Sequence, residues 1–324
     1  ISFTNLLTTL ISRELDIKKT KCSSIEGACF YNKEADKVIM GRVPERIKNP
    51  DEIPSPYMTG LLDDFFNYKL IPIIETNRGC PYQCIFCCQG LVAHQQIDFF
   101  GIERVKDELK YIAASVKNTD ILTFADSNFG IVKRDLKIAE FINDLYKDTG
   151  YPRKINANYA KNQPGIFEIA KRLRNTNFLI SLQSLYSLVL EKVKRSNISI
   201  PVFRDIIKKT NELGDISGTE VILGLPGETK ASHLETLRKL FDWDVSYMIC
   251  YNALLLEGSE LYAMRESGQF KCKTKFRLID SSFGKYGGLT AFEYEEGIRS
   301  FDTMSEEDIL YFRPIHWQIQ FLCN

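Results

Sequence analysis

Six short apolar runs rich in β-branched and aromatic residues recur through the middle of this chain, at residues 71–76, 121–125, 154–158, 178–183, 218–223 and 246–254. Helical patterns separate most of them, with apolar residues returning every three to four positions over 102–115, 134–147, 166–174, 201–213 and 232–241. A strand that returns through a helix re-enters its sheet from the same end, so this alternation dictates parallel pairing with right-handed crossovers. Six units predict an α/β fold, a partial (β/α)6 TIM-like barrel that curves without closing, with an N-terminal linker segment and a C-terminal helical extension. In such architectures the working residues sit where the carboxyl ends of the strands enter their loops.

The flanks read differently. Residues 1–20 place Leu6, Leu7, Leu10, Ile11 and Leu15 at the spacing of an amphipathic helix. From 33 to 57, charges and the prolines Pro44, Pro50, Pro54 and Pro56 erase any period, which predicts an ordered linker. Beyond Arg265 the pattern is less regular, with Gly284, Gly287, Gly288 and Gly297. Ser305 and Asp308 then form a capping-box signature for a helix that Pro314 should kink. The expected division is 1–68, a lead-in with linker; 69–262, the barrel; and 263–324, the C-terminal extension.

The 324 residues, 44% hydrophobic and 26% charged, suffice for one large core plus an appendage. Lysine plus arginine equals aspartate plus glutamate at 42 each, so no global field attracts a polyanion, and a nucleic-acid partner is not expected. No apolar run nears the roughly 20 residues of a membrane span, and no leader pattern opens the sequence, which predicts a cytoplasmic protein. The first residue is Ile1, so an excerpt of a longer protein is expected.

Nine cysteines are too few for a disulfide scaffold of this length, yet four crowd into positions 80 to 88. The first predicted strand runs into TNRGCPYQCIFCCQG, which spaces Cys80, Cys84 and Cys87 as C-x3-C-x2-C within a loop. Iron–sulfur clusters are usually held by four cysteines. Three ligands therefore leave one iron open to an outside group, as a catalytic zinc keeps an open position. A zinc knuckle completed by Cys88 or His94 competes with this reading, although zinc motifs favour paired C-x2-C spacings. Cys22, Cys29, Cys250, Cys272 and Cys323 are too dispersed for a second cluster.

Other polar residues gather at predicted strand ends. The second strand ends TFADSNFG, with Asp126, Ser127 and Asn128; taken alone this is a turn capping the next helix. The fourth, FLISLQSL, holds Ser181 and Gln183 within an apolar run, where buried polar groups demand partners, and Arg195 follows in EKVKRSN. The fifth carries Glu220 and enters GLPGET, where Gly224, Pro226 and Gly227 make a tight turn and Thr229 caps a helix. His94, His233 and His316 show no spacing suited to a metal or a dyad, and Trp317, Ile319 and Phe321 read as core packing.

The C-x3-C-x2-C motif with Phe86 just before its third cysteine resembles the radical S-adenosylmethionine (SAM) superfamily. The resemblance implies a 4Fe-4S cluster on Cys80, Cys84 and Cys87, with SAM chelated at the open iron and cleaved to a 5'-deoxyadenosyl radical that abstracts hydrogen. By position it gives Asp126, beside Ser127 and Asn128, the SAM amino group, since a carboxylate pairs well with an ammonium. It likewise gives the fourth strand's end, Ser181 and Gln183, together with Arg195, the ribose and carboxylate. GLPGET resembles the fifth-strand motif of relatives of oxygen-independent coproporphyrinogen oxidase and the methylthiotransferases, which puts Gly224, Pro226 and Gly227 at the adenine with Glu220 facing the interior. Leu256, Glu257, Gly258 and Ser259 resemble the strand end that approaches adenine from the sixth strand.

The segment KNPDEIPSPYMTGLLDDFFNYKLIPIIETNRGCP resembles the linker and first strand of cobalamin-binding radical SAM proteins, in which a Rossmann-like cobalamin domain precedes the linker. Residues 1–28 resemble the last helix of that domain and its exit, so 1–68 would be the tail of an upstream domain plus the linker. The chain has no Asp-x-His-x-x-Gly to ligate cobalt, and cobalamin would come through that upstream domain. The implied reaction is then methyl transfer to an unactivated carbon of a small-molecule substrate, fed by an electron donor such as flavodoxin or ferredoxin. A methylthiotransferase-like enzyme, a zinc-binding module and a non-catalytic barrel stand as alternatives.

Overall fold

The computed structural model describes residues 2–21, 23–91, 94–163, 165–173 and 178–323. Cys22 and Arg174, the last position of one expected helix, lie outside the described residues. The chain divides into two compact units, Ile1–Pro50 and Asp51–Asn324.

The first unit begins with helices α1 (Ser2–Ser12) and α2 (Ile17–Thr20). Asp16 caps α2 by accepting from the N–H groups of Lys18 and Lys19. An antiparallel hairpin follows, β1 (Cys29–Asn32) with β2 (Lys37–Met40), in register Cys29↔Met40. Asn32 turns the chain by accepting from the N–H of Glu34 at 2.9 Å and of Ala35 at 3.0 Å. The expected linker at 33–57 therefore contains a strand. Its alternating Lys37–Met40 is too short and too exposed to register as a periodic run.

In the second unit, six parallel strands form two triplets. The first holds β3 (Ile73–Ile74), β6 (Ile121–Phe124) and β7 (Lys154–Asn156), in the order β3-β6-β7. The second holds β8 (Phe178–Leu179), β9 (Ser217–Leu223) and β10 (Tyr247–Asn252), in the order β10-β9-β8. Each pairs within the apolar run that announced it, but β3 and β8 are only two residues long. Between them in sequence, β4 (Asn77–Arg78) pairs antiparallel with β5 (Asp98–Phe99) and closes the base of the cysteine loop.

Among the described residues no ladder joins β7 to β8; the triplets meet through aromatic packing instead. Phe124 lies 4.6 Å from Phe129, Phe129 6.4 Å from Tyr159, and Tyr159 4.7 Å from Phe178, ring centroid to centroid. All four are buried, and such ring pairs contribute about 0.5–1.5 kcal/mol each beyond their area burial.

Helices α3 (Ile102–Ser115), α4 (Arg134–Thr149), α5 (Ile166–Arg172), α6 (Ser187–Lys192), α7 (Ile200–Glu212), α8 (Lys230–Asp242) and α9 (Glu260–Glu266) connect and follow the strands. The apolar stripe of α3 buries Val105, Leu109 and Ile112 at intervals of four and three, the period that predicted the helix. Gly150 ends α4 in the left-handed conformation, at φ 74°, where it donates to the Tyr146 carbonyl. Thr229 and Ser232 form a capping box that starts α8.

The C-terminal segment is more regular than its sequence suggested. Strands β11 (Cys272–Tyr286) and β12 (Leu289–Phe301) make a long antiparallel hairpin ahead of α10 (Glu306–Gln318). Gly287 and Gly288, both at positive φ, form its turn. The Ser305/Asp308 capping box opens α10 as expected, and the helix runs through Pro314. Ile319 is core, but Trp317 and Phe321 are exposed and stack on each other at 5.0 Å, unlike the packing expected of all three.

Candidate active site

The cysteine loop leaves β3 and is pinned at both ends. At its start Gly79 has φ 118°, and a side chain there would meet the Gln96 carbonyl at 2.1 Å. The Cys80 N–H donates to the His94 carbonyl at 2.7 Å. Farther on, the Ile85 N–H donates to the Val193 carbonyl, and the Ile85 carbonyl accepts from the Leu261 N–H at 2.8 Å. Backbone bonds from Cys87 N to Cys84 O and from Gly90 N to Cys87 O curl the loop on itself. Cys80 and Cys84 are buried and Cys87 is half-buried.

Asp126, fully buried at the end of β6, ties this loop to the sheet. One carboxylate oxygen accepts from the Thr76 N–H at 2.6 Å and the Asn77 N–H at 3.3 Å; the other accepts from the Thr76 hydroxyl and from Asn77 Nδ2 at 2.9 Å. Burial nevertheless pushes its carboxyl up to about 6. A carboxylate has about four lone-pair sites, and all are taken. The geometry thus gives Asp126 the task of anchoring the segment that enters the cysteine loop, and it leaves no acceptor for an ammonium. Ser127 beside it is half-buried, and Asn128 is buried with Nδ2 donating to Cys80 Sγ at 3.2 Å and Oδ1 unpartnered among the described residues.

From the second triplet, Arg195 reaches the same loop. Its Nη1 lies 3.7 Å from Cys84 Sγ, its Nε donates to Asn197 Oδ1 at 2.8 Å, and its Nη2 donates to the Ser181 carbonyl. Asn197 in turn donates to the carbonyls of Leu182 and Ser184, so the guanidinium is held from both sides. Burial pulls the Arg195 pKa down while Cys84 opposes that shift. Gln183 is buried at φ 65°, a left-handed position that costs a non-glycine residue energy, and its Oε1 lacks a partner among the described residues. Ser181 donates its hydroxyl to Glu220, which the Tyr251 hydroxyl also meets. Among the described residues no lysine or arginine forms a salt bridge with Glu220.

Gly224 and Gly227 adopt φ 92° and 83° in a buried turn, and a side chain on Gly227 would strike the Lys192 stem at 2.7 Å. The Gly224 N–H donates to Glu228 Oε2 at 2.7 Å. Behind the turn Glu228 Oε1 meets His233 Nδ1 at 2.9 Å, and His233 Nε2 meets His316 Nε2 at 2.9 Å. Burial, then His233, lowers the His316 pKa to about 3, so His316 is neutral. A neutral His316 donating through Nε2 to His233 Nε2, with His233 Nδ1–H donating to Glu228, satisfies both nitrogens of His233. His233 and His316 are therefore paired, whereas His94 stands apart; a separation of 83 residues carries no sequence signal.

Near the end of β10, Cys88 Sγ donates to the Glu257 carbonyl at 3.6 Å, and burial raises its thiol pKa. Cys88 is a packed thiol, and His94 serves the loop through its backbone carbonyl with an exposed side chain. Among the described residues no three His, Cys, Asp or Glu side chains converge on a point that one metal ion would occupy. Lys161, absent from the sequence reading, lies beyond β7 with its ammonium 5.6 Å from the Tyr82 ring centre, within the charge field of Cys84, Cys80 and Cys87. Three thiols beside the buried Arg195 and the half-buried Lys161, with unpartnered amide oxygens near them, suit an anionic iron–sulfur cluster with one open ligand position.

A cysteine triad on the loop after the first strand of an open parallel barrel defines the class of iron–sulfur enzymes that act on SAM. The family described as "Radical SAM superfamily" matches residues 74–240, more than half of this chain, and the chain belongs to it. A 2-(S-pantetheinyl)-carbapenam-3-carboxylate methyltransferase from Streptantibioticus cattleyicolor is 34% identical over 64% of this chain and 32% of its own length. The cobalamin-dependent radical SAM methyltransferase TokK from Streptomyces tokunonensis is 30% identical over 75% of this chain and 36% of its own. The chain thus spans about a third of the length of these curated relatives. The radical SAM methyltransferase TsrM from Kitasatospora setae, solved with tryptophan and a SAM analog, shares the fold with a TM-score of 0.59 at 12% identity, covering 85% of this chain and 54% of that one.

Proposed function

We propose that this chain is the SAM-cleaving barrel of a cobalamin-dependent radical SAM methyltransferase that modifies an unactivated carbon of a small molecule. The observation that carries the proposal is the joint placement of Cys80, Cys84 and Cys87, flanked by Asn128 at Cys80 and Arg195 at Cys84. The methyltransferase names of both relatives favour this reading over a methylthiotransferase. The donor set favours it over a zinc module, which would need about four donors near 2.3 Å or less from one ion.

Cys80, Cys84 and Cys87 would hold the 4Fe-4S cluster. When bound, the cluster supplies the electron that breaks SAM, and cobalamin, through a domain outside these residues, supplies the methyl group. Arg195 places a fixed positive charge beside Cys84 for the SAM carboxylate. Asn128 Oδ1 and the Ser127 hydroxyl offer acceptors for the SAM amino group in place of Asp126, whose oxygens are already committed. Gln183 Oε1 offers an acceptor for a ribose hydroxyl, and the Gly224–Gly227 turn brings backbone close enough to line the adenine. Ser181 and Glu220 set the polar wall next to Gln183.

A low-potential donor such as flavodoxin or ferredoxin and a cytoplasmic setting belong to the same reading. Charge balance argues against a nucleic-acid partner. Among the described residues, no helix is long and apolar enough to cross a membrane. The test supplies the full-length protein that contains this chain, reconstituted with cobalamin, with reductant and SAM carrying a deuterated methyl group, and follows that label by mass spectrometry. Label on cobalamin or on a small-molecule acceptor supports methyl transfer. SAM cleavage in which all of the label stays on methionine, with none on cobalamin or on an acceptor, refutes it.

A further inference from the structure

We propose that Lys161 is a positioning residue for the cluster, an ammonium that stabilises added negative charge at Cys80, Cys84 and Cys87 and so eases cluster reduction. The proposal rests on the cluster reading above. Lys161 lies just past the carboxyl end of β7, on an element that supplies no cysteine. Its backbone is fixed because the Lys161 carbonyl accepts from the Ile198 N–H at 2.7 Å. The neighbouring Asn162 is fixed to the cysteine loop through its Oδ1, which accepts from the Tyr82 hydroxyl. Tyr82 sits between Cys80 and Cys84, and Lys161 Nζ lies 5.6 Å from the centre of its ring. That contact directs the ammonium into the loop.

Lys161 is half-buried, and among the described residues the charged groups that act on it are Arg195 and the three cysteines, with no carboxylate. Burial and the neighbouring Arg195 lower its pKa, and the three cysteines oppose that lowering. A half-buried ammonium without a carboxylate partner is available to an anion, and three thiolates on a cluster provide one. Arg195 is committed to Ser181, Asn197 and Cys84, whereas Lys161 retains all three of its donors. Net charge and surrounding dipoles tune iron–sulfur potentials, so a cation here makes the reduced state easier to reach.

The experiment reconstitutes the full chain anaerobically as wild type, Lys161→Gln, Lys161→Arg and Asn162→Ala, then titrates each cluster potentiometrically with the reduced signal read by EPR. Lys161→Gln should retain iron and lower the ratio of reduced to oxidised cluster about tenfold at a fixed poise, equivalent to about 59 mV. Lys161→Arg should restore the wild-type ratio. Asn162→Ala, which loosens the lysine without removing its charge, should shift the ratio in the same direction by less; it decides the matter if Lys161→Gln does not fold. Unchanged ratios in Lys161→Gln, or in Asn162→Ala where that variant decides, overturn the proposal. A wild type that takes up no four-iron cluster refutes the underlying cluster reading instead.

Discussion

The two strand triplets place polar groups around the same cysteine loop in opposite ways. On the first, the carboxylate of Asp126 is saturated by Thr76 and Asn77, and its task is to hold the loop's entry. On the second, Gln183 is buried in a left-handed conformation with an amide oxygen left over. A satisfied buried network rigidifies, whereas an unsatisfied group in a strained position is kept only where something else uses it. Asp126 is built to hold the cysteine loop; Gln183, like Asn128 Oδ1 on the first triplet, carries an acceptor suited to a ligand.

Breaking the metal side outright gives the largest effect. Cys84→Ala should lose nearly all cluster iron and all SAM cleavage while its far-ultraviolet circular dichroism stays that of the wild type. Iron retained at the wild-type level would remove Cys84 from the ligand set. Next in size, Asp126→Ala leaves the buried Thr76 and Asn77 donors without their acceptor, which should cost about 2–4 kcal/mol in chemical denaturation. It should also reduce cluster retention. An Asp126→Ala protein with wild-type stability but weakened SAM binding would return that residue to the ligand.

The pH dependence sharpens the contrast, because two buried groups pull in opposite directions. Asp126, raised to about 6, binds its proton more tightly when folded, so it adds stability as pH falls from about 6 toward 3.8 and loses it as pH rises again. His316, lowered to about 3, must stay neutral when folded, so it removes stability as pH falls from 6.5 toward about 3. Each contributes a slope near 1.4 kcal/mol per pH unit, on the order of a single titrating proton, and between about 4 and 6 they offset. The contributions of these two groups to the wild-type unfolding free energy should therefore cancel across that window, and each variant is read relative to wild type. Asp126→Asn should expose a decline on acidification, and His316→Leu should expose a rise. Parallel curves for the two variants would contradict both assignments.

The smallest effect is on the ligand side. Gln183→Gly removes the amide and suits φ 65°, so stability should hold within about 0.5 kcal/mol or improve. SAM affinity, measured by calorimetry on the reconstituted protein, should fall about five- to tenfold for one lost hydrogen bond. A Gln183→Gly protein that binds SAM normally but melts early would make Gln183 structural.

The barrel was legible because buried parallel strands are apolar on both faces and stand out as short uninterrupted runs between amphipathic helices. The three cysteines were legible because their spacing is local. What escaped depends on distance along the chain. Asp126 meets Thr76 and Asn77 across about 50 positions, His233 meets His316 across 83, and Lys161 enters the charge field of the cysteines from the loop after β7. The hairpin β11–β12 did leave a trace, in the alternation of Lys273, Lys275 and Arg277 with Thr274, Phe276 and Leu278. That signal was weak because Phe276 and Leu278 remain exposed, so the alternation marks no core. Helix α6, six residues long, falls below the length at which a helical period can be read.

The most direct test of the account is the yield of 5'-deoxyadenosine against iron content, measured after anaerobic reconstitution with SAM and a strong reductant. About four iron atoms per chain, with 5'-deoxyadenosine formed by the wild type and absent from the Cys80, Cys84 and Cys87 alanine variants, is the predicted result. Bound zinc in place of iron, or product that persists in those variants, would contradict it.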